Sequence, residues 1–180
     1  MVDITSQVLR DFLNQLARCY RFPGRLYLVG GSSLALAAAK VSTLDIDLQF
    51  DVPAEHREAF IHCLRQIGQQ SQLSIEQASP DQFIPLPRGY RDRHQFIGRY
   101  GSIDVFHFDF YSVALSKLHR GNEKDFADVI EMVRQGLISL DQLRGYFHEV
   151  LPQLDSFDIS ADAIDFERNF SLFEQRLAQN

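Results

Sequence analysis

The stretch that most constrains the fold is LYLVGGSSLALAAAKVSTLDIDLQFD, residues 26–51. An apolar strand, Leu26 to Val29, runs into Gly30-Gly31-Ser32-Ser33, and an Ala/Leu-rich segment follows. Leu44, Ile46, Leu48 and Phe50 then alternate with Asp45, Asp47, Gln49 and Asp51. Unbroken alternation is the period of a half-buried strand, so this strand has one apolar face and one acidic face. Between the two strands the pattern predicts a helix over about 33–40, with Ser32 or Ser33 as its cap. Glycines at the turn let a ligand approach the main chain, and the helix start leaves N–H groups unpaired, although a Gly-Gly-Ser turn taken alone reads equally as an ordinary loop. A phosphate-sized backbone nest and two carboxylates therefore fall within one supersecondary unit. A nucleoside triphosphate and its metal ion need both.

The flanking sequence supports a mixed α/β core with a helical C-terminal section. Residues 4–20 have helical periodicity, ended by Phe22-Pro23-Gly24. Pro53 opens a helix running to about Ile67 and stopped by Gly68. Leu73 to Gln77 is a strand, 79–93 a Pro-rich loop, and Gln95–Tyr100 with Ser102–Phe108 a hairpin. Helices are expected over about 110–120, 123–135, 139–148 and 161–178, the first three separated by Gly121-Asn122 and Gly136. The expected organisation is a core over 1–135 and a helical extension, 136–180, packed on it.

The formal net charge of -6 gives the chain as a whole no attraction for a nucleic-acid backbone, so any such contact needs a local basic patch. Arg88, Arg91, Arg93, His94 and Arg99 are the one cluster of that kind, and they read equally as a solvated loop. Cys19 and Cys63 have no metal spacing and read as buried thiols of a reducing compartment. His56, His62, His107, His119 and His148 show no metal-ligand spacing. No apolar run approaches the ~20 residues that span a bilayer, and no signal peptide is evident, so a cytoplasmic protein is expected.

Alternate strand residues share a face, which puts Asp45 and Asp47 side by side where their charges repel. A divalent cation resolves that repulsion, and Mg²⁺ prefers a few carboxylates plus phosphate oxygens. A solvated polar strand face is the competing reading. Asp104 stands between apolar neighbours on a predicted strand, a position that disfavours Asp. Sharing a metal with Asp45 and Asp47 and acting on an attacking hydroxyl would explain it; an edge strand facing water would too. Asp109 suits a helix cap. Lys117, between Leu115 and Leu118, reads either as a cation that reaches a triphosphate with Asp125 holding it, or as one of the routine ion pairs of two surface helices. Asp125 and Asp128 share one face of the next helix.

The order of these pieces resembles the DNA polymerase β-like nucleotidyltransferases, and in particular their minimal bacterial abortive-infection and toxin-type members. The family pattern is a Gly-Gly/Ser turn, a short helix and Asp-x-Asp on the next strand, here Gly30-Gly31-Ser32 and Asp45-Ile46-Asp47. Lys117 and Asp125-Phe126-Ala127-Asp128 match the helical Lys motif and the Asp-x-x-Asp motif of the toxin-type members, so the resemblance covers about 25–135. It implies that Gly30, Gly31, Ser32, Ser33 and Lys117 hold the triphosphate of an NTP. It further implies that Asp45 and Asp47, with Asp104 by strand position, bind Mg²⁺ or Mn²⁺. The implied activity is transfer of a nucleotide to a hydroxyl of RNA, such as a tRNA end, or of a protein. An antitoxin partner is implied as well. The alternative is a degenerate module of the same fold that binds a nucleotide or a partner protein without turnover.

Overall fold

The computed structural model of the chain describes residues 3–157 and 163–179. The fold is mixed α/β. The chain divides into two compact units, Met1–Ser79 with His94–Phe108, and Pro80–Arg93 with Asp109–Asn180.

The first unit is a five-stranded sheet with helices. β1 (Ile4–Thr5) precedes α1 (Ser6–Cys19), β2 (Gly24–Leu28), α2 (Gly30–Leu36), β3 (Ser42–Thr43) and β4 (Asp45–Asp51). α3 (Arg57–Ser71), β5 (Ser74–Gln77), β6 (Gln95–Tyr100) and β7 (Ile103–His107) complete it. The strand order is β5-β4-β2-β7-β6, with β1 and β3 forming a separate two-stranded ladder. β2 pairs antiparallel to β4 and parallel to β7, β4 pairs parallel to β5, and β6 and β7 form the antiparallel hairpin. The alternation of β4 is realised: Ile46, Leu48 and Phe50 are buried while Asp45, Asp47 and Gln49 are half-exposed. Leu26, Leu28, Ile103 and Val105 join them in one core with Leu9, Phe12, Leu16, Phe60 and Ile67 from α1 and α3.

Three local expectations change. Gly68 does not stop α3. The helix runs on to Ser71 and ends at Gln72 in the left-handed region, φ 53°, its N–H bonded to the Gly68 carbonyl. A short 3-10 turn, Ala54–His56, lies between Pro53 and α3. Cys19 and Cys63 are not free thiols but a disulfide. α1 and α3 pack side by side and bring their Cα atoms to 5.8 Å, a proximity that 44 residues of separation conceal. Closing a loop of that length constrains the unfolded chain by about 4 kcal/mol.

The second unit is helical, with α4 (Phe110–Arg120), α5 (Glu123–Arg134), α6 (Leu140–Val150), the short α7 (Leu154–Phe157) and α8 (Ala163–Gln179). The expected start of the last helix at residue 161 lies outside the described residues. Its core gathers Val113, Leu118, Phe126, Met132, Phe147, Phe166, Phe170 and Phe173, with Phe147 stacked on Phe170 at 4.0 Å between ring centroids. Asp109 caps α4, accepting from the Tyr111 and Ser112 amides, and takes two bonds from Arg93 at 3.0 and 2.8 Å. Arg93 also donates to the Arg88 carbonyl and lies over the Tyr146 ring. That arginine of the basic loop is therefore a staple within the unit rather than a free cation. Among the described residues no helix is long and apolar enough to cross a membrane.

Candidate active site

In the first unit α2 starts two residues after β2 ends, and Gly30-Gly31 is its opening turn, not a loop before it. Val29 takes the cap position with no side-chain bond, so neither Ser32 nor Ser33 is the cap. The Ser32 hydroxyl accepts from the Asp47 amide at 2.9 Å and lies 3.1 and 3.0 Å from the carbonyls of Val29 and Asp47. With one proton and full burial, that hydroxyl ties α2 to β4. Ser33, also fully buried, is 2.8 Å from Nδ1 of His107.

The two glycines have separate reasons. Gly30 has φ 53°, and a Cβ there would stand 2.5 Å from Oδ2 of Asp47. A Cβ on Gly31 would collide with the Thr43 hydroxyl. The Asp47 carboxylate is thus seated against bare main chain at the start of α2, with Asp45 two residues before it on the same face. Gly30→Ala would force an unfavourable φ and push the carboxylate aside. The strain costs about 1 kcal/mol, which the fold survives. We expect the variant to melt close to wild type and any turnover the site supports to fall about 100-fold, since a misplaced reacting geometry costs that much; equal turnover by variant and wild type would refute the seating argument.

Glu76 stands beside Asp47 in the parallel β4–β5 register, a neighbour that reading along the chain does not reveal. Among the described residues no three His, Cys, Asp or Glu side chains gather as a metal site. A two-carboxylate set still suits Mg²⁺, which takes one or two protein carboxylates and fills its octahedron with phosphate oxygens and water. The space a Cβ would fill over Gly30 lies beside one of these carboxylates, so the residues present fit the ion.

Asp104 is not brought to this pair. Register aligns Asp104 with Arg25 and Arg25 with Asp51, whereas His107 aligns with Leu28 and Leu28 with Leu48. Asp104 therefore lies about 13 Å further along the strands than Asp47, four residues at ~3.3 Å each. It is bonded twice to Arg99, at 2.7 and 3.0 Å, and that hydrogen bonding holds its carboxyl below the usual range. The position on β7 that shares the face of Asp45 and Asp47 and lies nearer to them is Phe106.

Lys117 and Asp125 come together in the second unit. Lys117 is buried, with its Nζ 2.9 Å from Asp125 and 2.7 Å from Asp128. Arg120 and Asn122 also donate to Asp125. Burial would raise the Asp125 carboxyl, but the Arg120 hydrogen bonds and the Lys117 charge hold it below its usual value. Two cations and two anions balance, so the cluster locks α4 to α5.

Burial pushes the His107 imidazole down to about 4 from 6.5. Folded protein keeps it neutral while the unfolded chain takes up a proton, so stability is lost as pH falls from about 6.5 toward 4. The loss reaches at most about 3 kcal/mol. Urea unfolding across that range should show the decline in wild type and a flatter profile in His107→Gln; parallel profiles would exclude His107 as its source.

An Asp-x-Asp strand facing a Gly-Gly turn at the opening of a short helix, on a mixed sheet, defines a nucleotidyltransferase-like scaffold. Residues 8–177 match the family described as a nucleotidyltransferase of unknown function (DUF6036), and the chain belongs to that family. No curated protein and no solved structure matches it.

Proposed function

We propose that the protein is a metal-dependent nucleotidyltransferase of the polymerase β-like type that moves a nucleotide from an NTP to an acceptor hydroxyl. The observation that carries this reading is the Asp47 carboxylate seated against Gly30, beside Asp45. Asp45 and Asp47 would hold Mg²⁺ or Mn²⁺, which supplies charge neutralisation at the phosphates. Gly30 leaves the main chain at the start of α2 accessible to the triphosphate, while Gly31 packs against Thr43 and Ser32 and Ser33 fix that turn to β4 and β7 from within. The acceptor oxygen attacks the α-phosphorus, the α–β anhydride bond breaks, pyrophosphate leaves, and the hydroxyl proton passes to solvent. Positioning and charge neutralisation carry most of such catalysis. The motif order from Lys117 to Asp128 supports placing the chain near the toxin-type members.

The test is incubation of the protein with Mg²⁺, each labelled NTP, and total RNA plus cell extract, beside Asp45→Asn/Asp47→Asn. Label on RNA or protein with wild type alone supports the reading. Nucleotide binding without transfer would move the chain to the degenerate module, and neither binding nor transfer would overturn both.

A further inference from the structure

The acidic face of the sheet carries a row of rings. Tyr27 on β2 is the register partner of Phe106 on β7, and Phe106 is that of Phe96 on β6. Ring centroids are 5.5 Å apart for Tyr27–Phe106 and 5.4 Å for Phe106–Phe96. Because strand side chains alternate, this row shares its face with Asp45 and Asp47, and the apolar core lies on the other. Tyr27 pairs with Gln49, two residues from Asp47. The row thus begins about 8 Å from Asp47 and reaches about 16 Å at Phe96, from strand spacing and rise. His94 and Phe108 pack on Tyr27 and fix its ring. Phe96 is 60% exposed on an edge strand, where a large apolar side chain is a liability unless something uses it.

We propose that Tyr27, Phe106 and Phe96 form a stacking platform for the bases of a single-stranded nucleic-acid acceptor whose terminal hydroxyl reaches Asp45 and Asp47. This rests on the nucleotidyl-transfer reading above and names its acceptor class. Aromatic rings on an open sheet face stack successive bases whatever their sequence. The row's distances from Asp47 match a terminal nucleotide and the one before it. Further along the same face Arg99 is bonded to Asp104, and Arg25 and Asp51 are register partners, so positive and negative charges balance there. In a chain of net charge -6, rings rather than a phosphate grip must then carry the binding. A protein acceptor offers no run of planar bases to fill such a row.

The probes are a seven-nucleotide single-stranded RNA and an abasic strand of equal length and charge, titrated into full-length protein with Ca²⁺ and no NTP. We expect the RNA to bind at least about tenfold tighter than the abasic strand, the usual worth of one stacked base. Phe96→Ala/Phe106→Leu should bring the RNA down to the abasic level. Phe96→Ala alone, at an exposed position, should give part of that loss with no change in melting temperature. Affinity should change little with salt, whereas a backbone grip would fall steeply. Equal binding of the two strands, wild-type affinity in the ring variants, or label transferred to protein at an unchanged rate in those variants would overturn the proposal. Binding of each NTP in turn with Mg²⁺ separates the two readings. It should survive in the ring variants and be lost in Asp45→Asn/Asp47→Asn. Ring-dependent RNA binding without any NTP binding would uphold the platform and overturn the transfer reading.

Discussion

Replacing Asp45 and Asp47 together by asparagine should reduce nucleotidyl transfer at least about 10³-fold, because removing metal-borne charge stabilisation removes several kcal/mol from the transition state. The fold should persist. Both side chains are half-exposed on the open face of β4, and Asn keeps their volume. Surface substitutions of this kind change stability little, so the double variant should unfold close to wild type. The single variants should rank, with Asp47→Asn the more damaging, because Asp47 is the carboxylate seated against Gly30. Added Mg²⁺ should recover part of the Asp45→Asn loss by mass action and less of the Asp47→Asn loss. Turnover by thin-layer separation of labelled products, beside thermal unfolding of each protein, decides the matter. Undiminished transfer by the folded double variant would remove the metal site from the account.

What the chain made legible, and what it hid, follows from the range of the interactions. β4 was legible because alternation is local: each residue's exposure follows from its neighbours two positions away. The α4–α6 helices were legible for the same reason, with Asn122 and Ser139 supplying caps and Gly121 the stop. The Gly30-Gly31 turn was legible as an approach point, but not what approaches it. The Asp47 carboxylate and the Thr43 hydroxyl come from partners the turn itself does not specify. Asp104 shows the limit most clearly. Its apolar neighbours on a strand suggested a metal shared with Asp45 and Asp47, yet position along β7 is fixed by pairing with β2, and that register sets it beside Arg25. Cys19 and Cys63 are a second case, decided by the packing of α1 on α3. The ring row is a third, because Tyr27, Phe96 and Phe106 align only across strands.

Lys117→Met should destabilise the protein by about 3–5 kcal/mol, the usual effect of leaving buried carboxylates without their cation. For a chain of this length that is a fall of roughly 10 °C in melting temperature. The size follows from burial. Lys117, Asp125 and Asp128 are each less than a tenth exposed, so water does not replace the missing ammonium. Arg120 keeps its bonds to Asp125, so part of the cluster's compensation survives the substitution. Neutralising the anions as well, in Lys117→Met/Asp125→Asn/Asp128→Asn, should recover much of the stability, because uncompensated charge rather than lost volume causes the damage. The acid limb adds a separate check. Asp125 titrates below its ordinary value of 3.8 when folded, so its contribution is present above that value and is lost as pH falls below it. That window lies below the one assigned to His107, and Asp125→Asn should flatten the lower limb alone. Urea titrations of the four proteins at neutral and acid pH read all of this, and wild-type stability in the Lys117→Met single variant would show that the cluster does not hold α4 to α5.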